Sequence, residues 1–190
     1  MLRIALIALL SLSITSCSKT VENPRSELDN LPKWVLNPHI EGTIAAVGIS
    51  PASTGGLQFQ IPKAEADARA NIAAQIETIV SRLTKDALRE AKISDQNDVE
   101  HVFSQATKSL IKEVPLSGAR RVNMFKDPDD GTLFVHMSLD RKMISNYLAQ
   151  NQQIIESTVL ASNLSRENIK KSQEAVKDLF TDLDKELKTK

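Results

Sequence analysis

Cys17 is the only cysteine in this chain of 190 residues, and its thiol is the group whose sequence setting most clearly indicates a chemical use. It ends an N-terminal segment in which Arg3 precedes an apolar run, residues 4–10, and mostly small residues follow. A positive residue, an apolar core and small residues before a processing point are the layout of a secretory signal peptide. The sequence therefore predicts that residues 1–16 are a signal peptide.

The four residues that end at this cysteine, Ile14-Thr15-Ser16-Cys17, resemble a bacterial lipobox. An apolar residue stands three positions before the cysteine, and a small residue stands directly before it. The resemblance implies that Cys17 becomes the mature N-terminus, with a diacylglycerol thioether on its sulfur and a third acyl chain on the freed amine. Two or more acyl chains hold a protein stably on a membrane, whereas one chain does so only marginally.

Two other interpretations of this segment fit less well. A transmembrane anchor needs ~20 apolar residues, and the run here is shorter. A free cysteine in a protein core is common, but it has no need of these flanking residues. Ser18 follows the cysteine, and in enterobacterial-type sorting an Asp at that place would retain the protein at the inner membrane. We therefore predict a lipid anchor at Cys17 in the outer membrane, on the periplasmic face.

No other group of residues has a recognisable catalytic or metal-binding pattern. The histidines lack the paired spacing of metal ligands; they are His39, His101 and His136. Ser50 is not in a nucleophile elbow, because Ala52 replaces the second glycine. Gly55-Gly56 lacks the Lys and the Ser or Thr that follow in a phosphate loop. We predict no catalytic residues, no metal site, no cofactor and no enzymatic activity.

The acidic segment 127–131 looks faintly like the start of a calcium-binding loop, with Asp127, Asp129, Asp130 and Gly131. An EF-hand needs oxygen ligands through position twelve, where a Glu stands. Counted from Asp127, position twelve is Ser138, which lies inside a predicted strand. The sequence therefore favours a turn between two strands.

The composition argues against nucleic-acid partners and indicates which kind of hydrophobic core the chain can form. The chain carries 24 basic and 24 acidic residues, so nothing indicates binding to nucleic acid. A hydrophobic content of 41% with 4% aromatic residues indicates a mostly aliphatic core. With its one cysteine lipidated, the chain forms no internal disulfide, and its stability depends on packing.

The predicted elements form an α+β domain. Residues 17–31 are the lipidated N-terminus and a flexible tether, and Pro32-Lys33-Trp34 opens the domain. Residues 43–50 predict a buried strand, and the segment after Pro62 an alanine-rich helix of about thirty residues. A second helix and a hairpin with the 127–131 turn follow. We predict a small antiparallel sheet of about three strands, packed by the long helix and the second helix, over residues 32–140, and a C-terminal helical extension, residues 141–190.

Apolar spacing on these elements predicts a shared core. The side chains expected to be mostly buried together are Trp34, Val47, Ile49, Ile72, Ile76, Ile79, Leu83, Val135 and Met137. The extension has one narrow apolar seam, formed by Ile169, Val176, Phe180, Leu183 and Leu187. We expect this seam to be an interaction surface for a partner, with folding back onto its own domain as the alternative.

The order of these features resembles the Lpp-twenty family of small bacterial outer-membrane lipoproteins. The residues that carry the resemblance are the lipobox, Pro32-Lys33-Trp34, Val47-Gly48-Ile49-Ser50, Ala64, Ala68-Arg69, Ile72-Ala73, Ile76 and the hairpin 116–139 with its return strand Gly131-Thr132-Leu133-Phe134-Val135. The resemblance implies a domain with helices on one face of a small antiparallel sheet, and it offers no catalytic residues. A flagellar outer-membrane lipoprotein with a similar domain forms a ring around the motor.

Two classes of function follow. The first is a non-enzymatic, outer-membrane-anchored lipoprotein with a structural or assembly role, bound to copies of itself or to an envelope protein; a flagellar-motor ring lipoprotein is one form of it. The second is a ligand-binding or enzymatic module that acts on envelope material, with Trp34 and Gly55-Gly56 framing a pocket.

Overall fold

The computed structural model of the chain describes residues 30–91 and 96–189. Cys17, the predicted signal peptide and most of the predicted tether lie outside the described residues. The elements are α1 (Lys33–Leu36), β1 (Thr43–Ser50), α2 (Leu57–Glu90), α3 (Gln96–Lys112), a 3₁₀ turn (Leu116–Gly118), β2 (Arg120–Lys126), β3 (Leu133–Asp140), α4 (Arg141–Gln150), α5 (Gln152–Leu160) and α6 (Arg166–Thr189).

The three strands form one antiparallel sheet in the order β1-β3-β2. The predicted turn joins β2 to β3: the backbone N–H of Asp127 donates to the carbonyl of Thr132 at 2.8 Å. Gly131 has a φ of 74°, in the left-handed region that glycine adopts without steric cost. A bulge between Arg121 and Asn123 shifts the register near the start of β2. The predicted α+β class, with its three-stranded antiparallel sheet, is confirmed.

One face of this sheet, the inner face, packs against α2. Alternate residues of β3 point into this layer and are 0–1% exposed: Leu133, Val135, Met137 and Leu139. The alanines make the first half of α2 slim enough to lie close to β1. A Cβ on Gly48 would overlap the carbonyl oxygen of Ala64 and the backbone nitrogen of Ala68. Glycine at position 48 is therefore a packing requirement.

The free edge of β1 is covered by polar side chains of α2. Asp67 Oδ2 accepts from the Ile49 N–H at 2.8 Å. Asn71 Nδ2 donates to the Val47 carbonyl at 2.9 Å. Gln75 Nε2 donates to the Ala45 carbonyl at 3.1 Å. These side chains lie four residues apart on one helix, and they bond alternate residues of the strand. They satisfy backbone groups that would otherwise attract another strand.

The helices predicted as a C-terminal extension belong to the same packed layer, and residues Pro32–Lys190 form one compact unit. The apolar side chains of α6 join the core, namely Ala175, Val176, Leu179, Leu183 and Leu187. The buried Arg141 donates from Nε to the Thr43 carbonyl at 3.0 Å and from Nη1 to the Glu186 carbonyl at 3.3 Å. A cation at the C-terminal end of α6 also interacts favourably with the helix dipole.

The predicted burial is confirmed for five side chains, which are Ile72, Ile76, Leu83, Val135 and Met137. It is wrong for Ile49, which is 47% exposed, whereas Ile79 is half-buried and packs against the core. Trp34 and Val47 are half-buried on the other face of the sheet, so they do not share that core. Val47 and Ile49 point away from the helices, because successive residues of a strand face opposite sides of the sheet. The prediction treated β1 as buried on both faces, although it is an edge strand with one face packed.

Candidate functional site on the outer face of the sheet

The face of the sheet that points away from α2, the outer face, carries a row of apolar side chains. Ile49 of β1 is paired with Phe134 of β3, and Phe134 is paired with Phe125 of β2. Directly opposed residues of antiparallel strands share a face, so these three form one line across the sheet. We call this line the outer apolar row.

The outer apolar row is incompletely covered. Ile49 is 47% exposed, and both phenylalanines are half-buried. The two phenylalanine rings touch in a tilted arrangement, with centroids 6.2 Å apart and planes at 33°. The solvated face of an antiparallel sheet normally carries polar side chains. An apolar row there is a feature that the packing of the core does not require.

The adjacent row is covered by the helical turn α1. The Trp34 ring stacks on the His136 ring, with centroids 5.3 Å apart and planes at 2°. His136 follows Phe134 by two residues on β3, so both lie on the outer face. His136 is only 2% exposed, which shows how completely the indole and its neighbours cover the imidazole.

Both ring nitrogens of His136 have partners. Nε2 lies 2.8 Å from the Pro38 carbonyl oxygen, and Nδ1 lies 3.3 Å from Asn123 Nδ2. A carbonyl only accepts, so Nε2 carries the hydrogen, and Nδ1 accepts from the Asn123 amide. The imidazole therefore connects segment 33–38 to β2 as well as to β3, and its role here is to hold α1 on the outer face.

This arrangement places the start of the domain on the outer face. Trp34 stands two residues after Pro32, where the predicted tether ends. The chain that leads from Cys17 therefore enters the folded domain next to α1. Cys17 itself, the predicted lipidation site, lies outside the described residues.

The remaining histidines and the acidic turn form no ligand site in the part of the chain that the structure describes. His39 and His101 are exposed on separate segments. Among residues 30–91 and 96–189, no three His, Cys, Asp or Glu side chains are grouped to hold a metal ion. No helix within these residues is both long enough and apolar enough to cross a membrane.

The carboxylates of the acidic turn bond to their own loop. Asp127 Oδ1 accepts from the Asp129 N–H at 2.8 Å. Asp130 accepts from the Thr132 N–H at 2.7 Å and from the Thr132 hydroxyl at 2.8 Å. These two bonds from Thr132 hold the pKa of Asp130 below its usual value. The geometry is that of a turn stabilised by side-chain oxygens, as the sequence favoured.

The predicted pocket components lie against different groups. Trp34 packs on His136, whereas Gly55 packs against the ring of Phe59. Gly56 has a φ of 70° and directly precedes α2. A groove of about 560 Å³ lies elsewhere, between α4 and α6, and Phe180 and Leu148 help to line it.

The C-terminal seam is covered mainly by its own chain. Val176, Leu183 and Leu187 are 0–4% exposed, whereas Ile169 and Phe180 are half-buried. The prediction that these residues form a free interaction surface is therefore wrong for the three buried side chains. They pack into the core that α2, α4 and the sheet build, which is the alternative that the narrow apolar stripe also allowed.

No protein-family model matches the chain, and a search of the curated proteins finds no match. The outer apolar row is the site that sequence reasoning missed. The sequence signal for this site was Phe134, an apolar residue that alternates with the buried residues of β3. Its pairing with Ile49 and Phe125 depends on the strand register, which the sequence alone does not show.

Proposed function

We propose that this chain is a non-enzymatic lipoprotein of the bacterial outer membrane, held on the periplasmic face by acyl chains on Cys17. Its folded domain has a structural or assembly role in the envelope. The observation that carries the proposal is the order of Arg3, an apolar run and Ile14-Thr15-Ser16-Cys17, with no other cysteine in the chain.

Features of the domain support this proposal. The α+β architecture agrees with the domain that the resemblance to the Lpp-twenty family implies. The buried polar side chains of His136 and Arg141 bond backbone groups. Such side chains hold the fold together, and their hydrogen-bonding capacity is largely used in doing so.

The test of the anchor is metabolic labelling with palmitate in a bacterial host. The full chain should be labelled, and its mature form should begin at Cys17. Cys17→Ser should lose the label and accumulate as an unprocessed precursor, because the thiol is the only acyl acceptor. Ser18→Ala is the matched control and should label like the parent chain. An unlabelled mature protein that begins elsewhere would refute the anchor.

The test of the assembly role is the native mass of the detergent-extracted protein, combined with crosslinking in intact cells. We expect species larger than a monomer, made of further copies or of an envelope protein. A clean monomer in both measurements would favour the ligand-binding or enzymatic module instead.

A further inference from the structure

We propose that the outer face of the sheet is a membrane-seating surface. With Cys17 acylated, the outer apolar row and the neighbouring α1 lie against the lipid headgroups and the upper part of the acyl chains. This inference rests on the proposed lipid anchor and adds to it an orientation of the domain. The occupant of the apolar row is then the bilayer to which the chain is already attached.

The first argument is the one-sided cover of the sheet. The long helix α2 packs against the inner face, while α1, a single turn, packs against the outer face. Beyond α1, the outer face presents Ile49, Phe125 and Phe134, and α1 itself presents Leu36, which is 57% exposed. Contiguous exposed apolar surface marks a site of contact with a protein, a ligand or a membrane.

The second argument is the length of chain between the anchor and this face. Fourteen residues, 18–31, separate Cys17 from Pro32. Fully extended, they span no more than about 50 Å. Attachment through so short a connection raises the effective concentration of the membrane at the domain into about the millimolar range. A weakly membrane-binding face is therefore sufficient to orient the domain.

The third argument is the chemistry of the face. Trp34 lies on it half-buried, and tryptophan is enriched at the level of the lipid headgroups because its ring is amphipathic. Arg120 is paired with Ser138, opposite Ala45, which places it on the same face. Lys33 of α1 is also exposed, and the exposed acids nearby are Glu41 and Asp140, whose pairing with Thr43 places Asp140 on the outer face. Because these charges balance, the affinity of this face for lipid rests on the outer apolar row and on Trp34.

The experiment uses Trp34, which is the only tryptophan in the chain. The acylated full chain is reconstituted into vesicles of phosphatidylethanolamine and phosphatidylglycerol, with or without lipids brominated near the headgroup end of the acyl chains. We expect the brominated lipids to lower Trp34 fluorescence about two-fold. Ile49→Asp should restore most of the fluorescence, because a carboxylate is costly to bury in the bilayer.

The matched control is Leu160→Asp, since Leu160 is 55% exposed at the end of α5. This variant should be quenched like the parent chain, and circular dichroism should show both variants folded. If palmitate labels Cys17 but brominated lipids leave Trp34 unquenched, the seating surface is refuted and the lipid anchor stands. Equal quenching of both variants would also refute it.

The seating surface remains testable even if the anchor proposal fails. In that case the unacylated full chain is coupled through the Cys17 thiol to a maleimide-bearing lipid in the same vesicles. Quenching that Ile49→Asp abolishes would support the face independently of biological acylation. Absence of quenching would refute it.

Discussion

Both faces of the sheet carry apolar side chains, yet β3 buries them on the inner face and leaves them partly exposed on the outer face. Leu133 and Val135 of β3 point inward and are fully buried, whereas their neighbour Phe134 points outward and is half-buried. Ile49, which follows the tightly packed Gly48, is 47% exposed. The contrast teaches that hydrophobicity alone does not show which face of a strand makes the core. The long helix α2 decides it, because it packs against the inner face, whereas the outer face has only the single turn α1.

The largest effect should come from removing part of the helical layer. Deleting residues 165–190 removes α6, whose Val176, Leu179, Leu183 and Leu187 are 0–4% exposed. Each such side chain contributes about 1.5–3 kcal/mol by burial, and a whole domain is stable by only about 5–15 kcal/mol. We expect the truncated chain to lose its cooperative transition in urea, followed by far-UV circular dichroism.

Lys177→Ala is the control for this deletion, since Lys177 is exposed on the same helix and its replacement should change stability by about 0.5 kcal/mol or less. A truncated chain that still unfolds in one sharp transition would show that α6 is dispensable, and that the inner layer is smaller than the structure indicates.

A single truncation on the inner side should have the next largest effect. Ile76 of α2 is 2% exposed in the core. Ile76→Ala should lower the free energy of unfolding by about 2–5 kcal/mol, through lost burial and the cavity left behind. Ile49→Ala removes the same atoms from the outer face and should cost about 0.5 kcal/mol or less. Equal losses of unfolding free energy for the two variants in urea denaturation would contradict the proposed difference between the two faces.

The smallest loss of stability should come from weakening the contact between α1 and the outer face of the sheet. Trp34→Leu keeps an apolar side chain but removes the stack on His136. We expect a loss of about 0.5–1.5 kcal/mol in the free energy of unfolding, the usual value of an aromatic pair beyond its buried area. Leu36→Ala, at an exposed neighbouring position, is the control. A loss larger than that of Ile76→Ala would place α1 in the core.

Local patterns were enough to predict much of the fold. The strand at residues 43–50 coincides with β1, and the acidic turn with its glycine joins β2 to β3 as expected. The alternation along β3 identified Val135 and Met137 as buried. These features depend on neighbours in sequence, so the sequence carries them directly.

The start of α2 was placed too late, at Pro62, whereas the helix begins at Leu57. The reason is a contact between distant segments. Gln60 is 1% exposed, and its Nε2 donates to the carbonyls of Pro51 and Gly131, both at 3.0 Å. This link fixes the first turn of the helix to the hairpin and outweighs the local preference for a loop. The residues around Gln60 do not indicate that its side chain bonds a residue seventy-one positions away.

The candidate site depended even more on contacts between segments that are distant in the sequence. The prediction for Cys17 rests on its flanking residues alone and stays a prediction. The outer apolar row, by contrast, exists only because three strands bring Ile49, Phe134 and Phe125 into one register. The buried state of the C-terminal seam likewise follows from the packing of α6 beside α2 and α4, since an apolar stripe of that width fits either a partner or its own domain.

The three bonds between α2 and the edge of β1 work as a molecular ruler. Four helical residues advance about 6.0 Å, and two strand residues advance about 6.8 Å. Each successive hydrogen bond between the helix and the strand is therefore out of step by roughly 0.8 Å. The three hydrogen bonds lengthen in order, from 2.8 Å at Asp67 through 2.9 Å at Asn71 to 3.1 Å at Gln75. One residue inserted between Asp67 and Asn71 would turn the later side chains by about 100°. The edge of β1 would then stand open to a foreign strand.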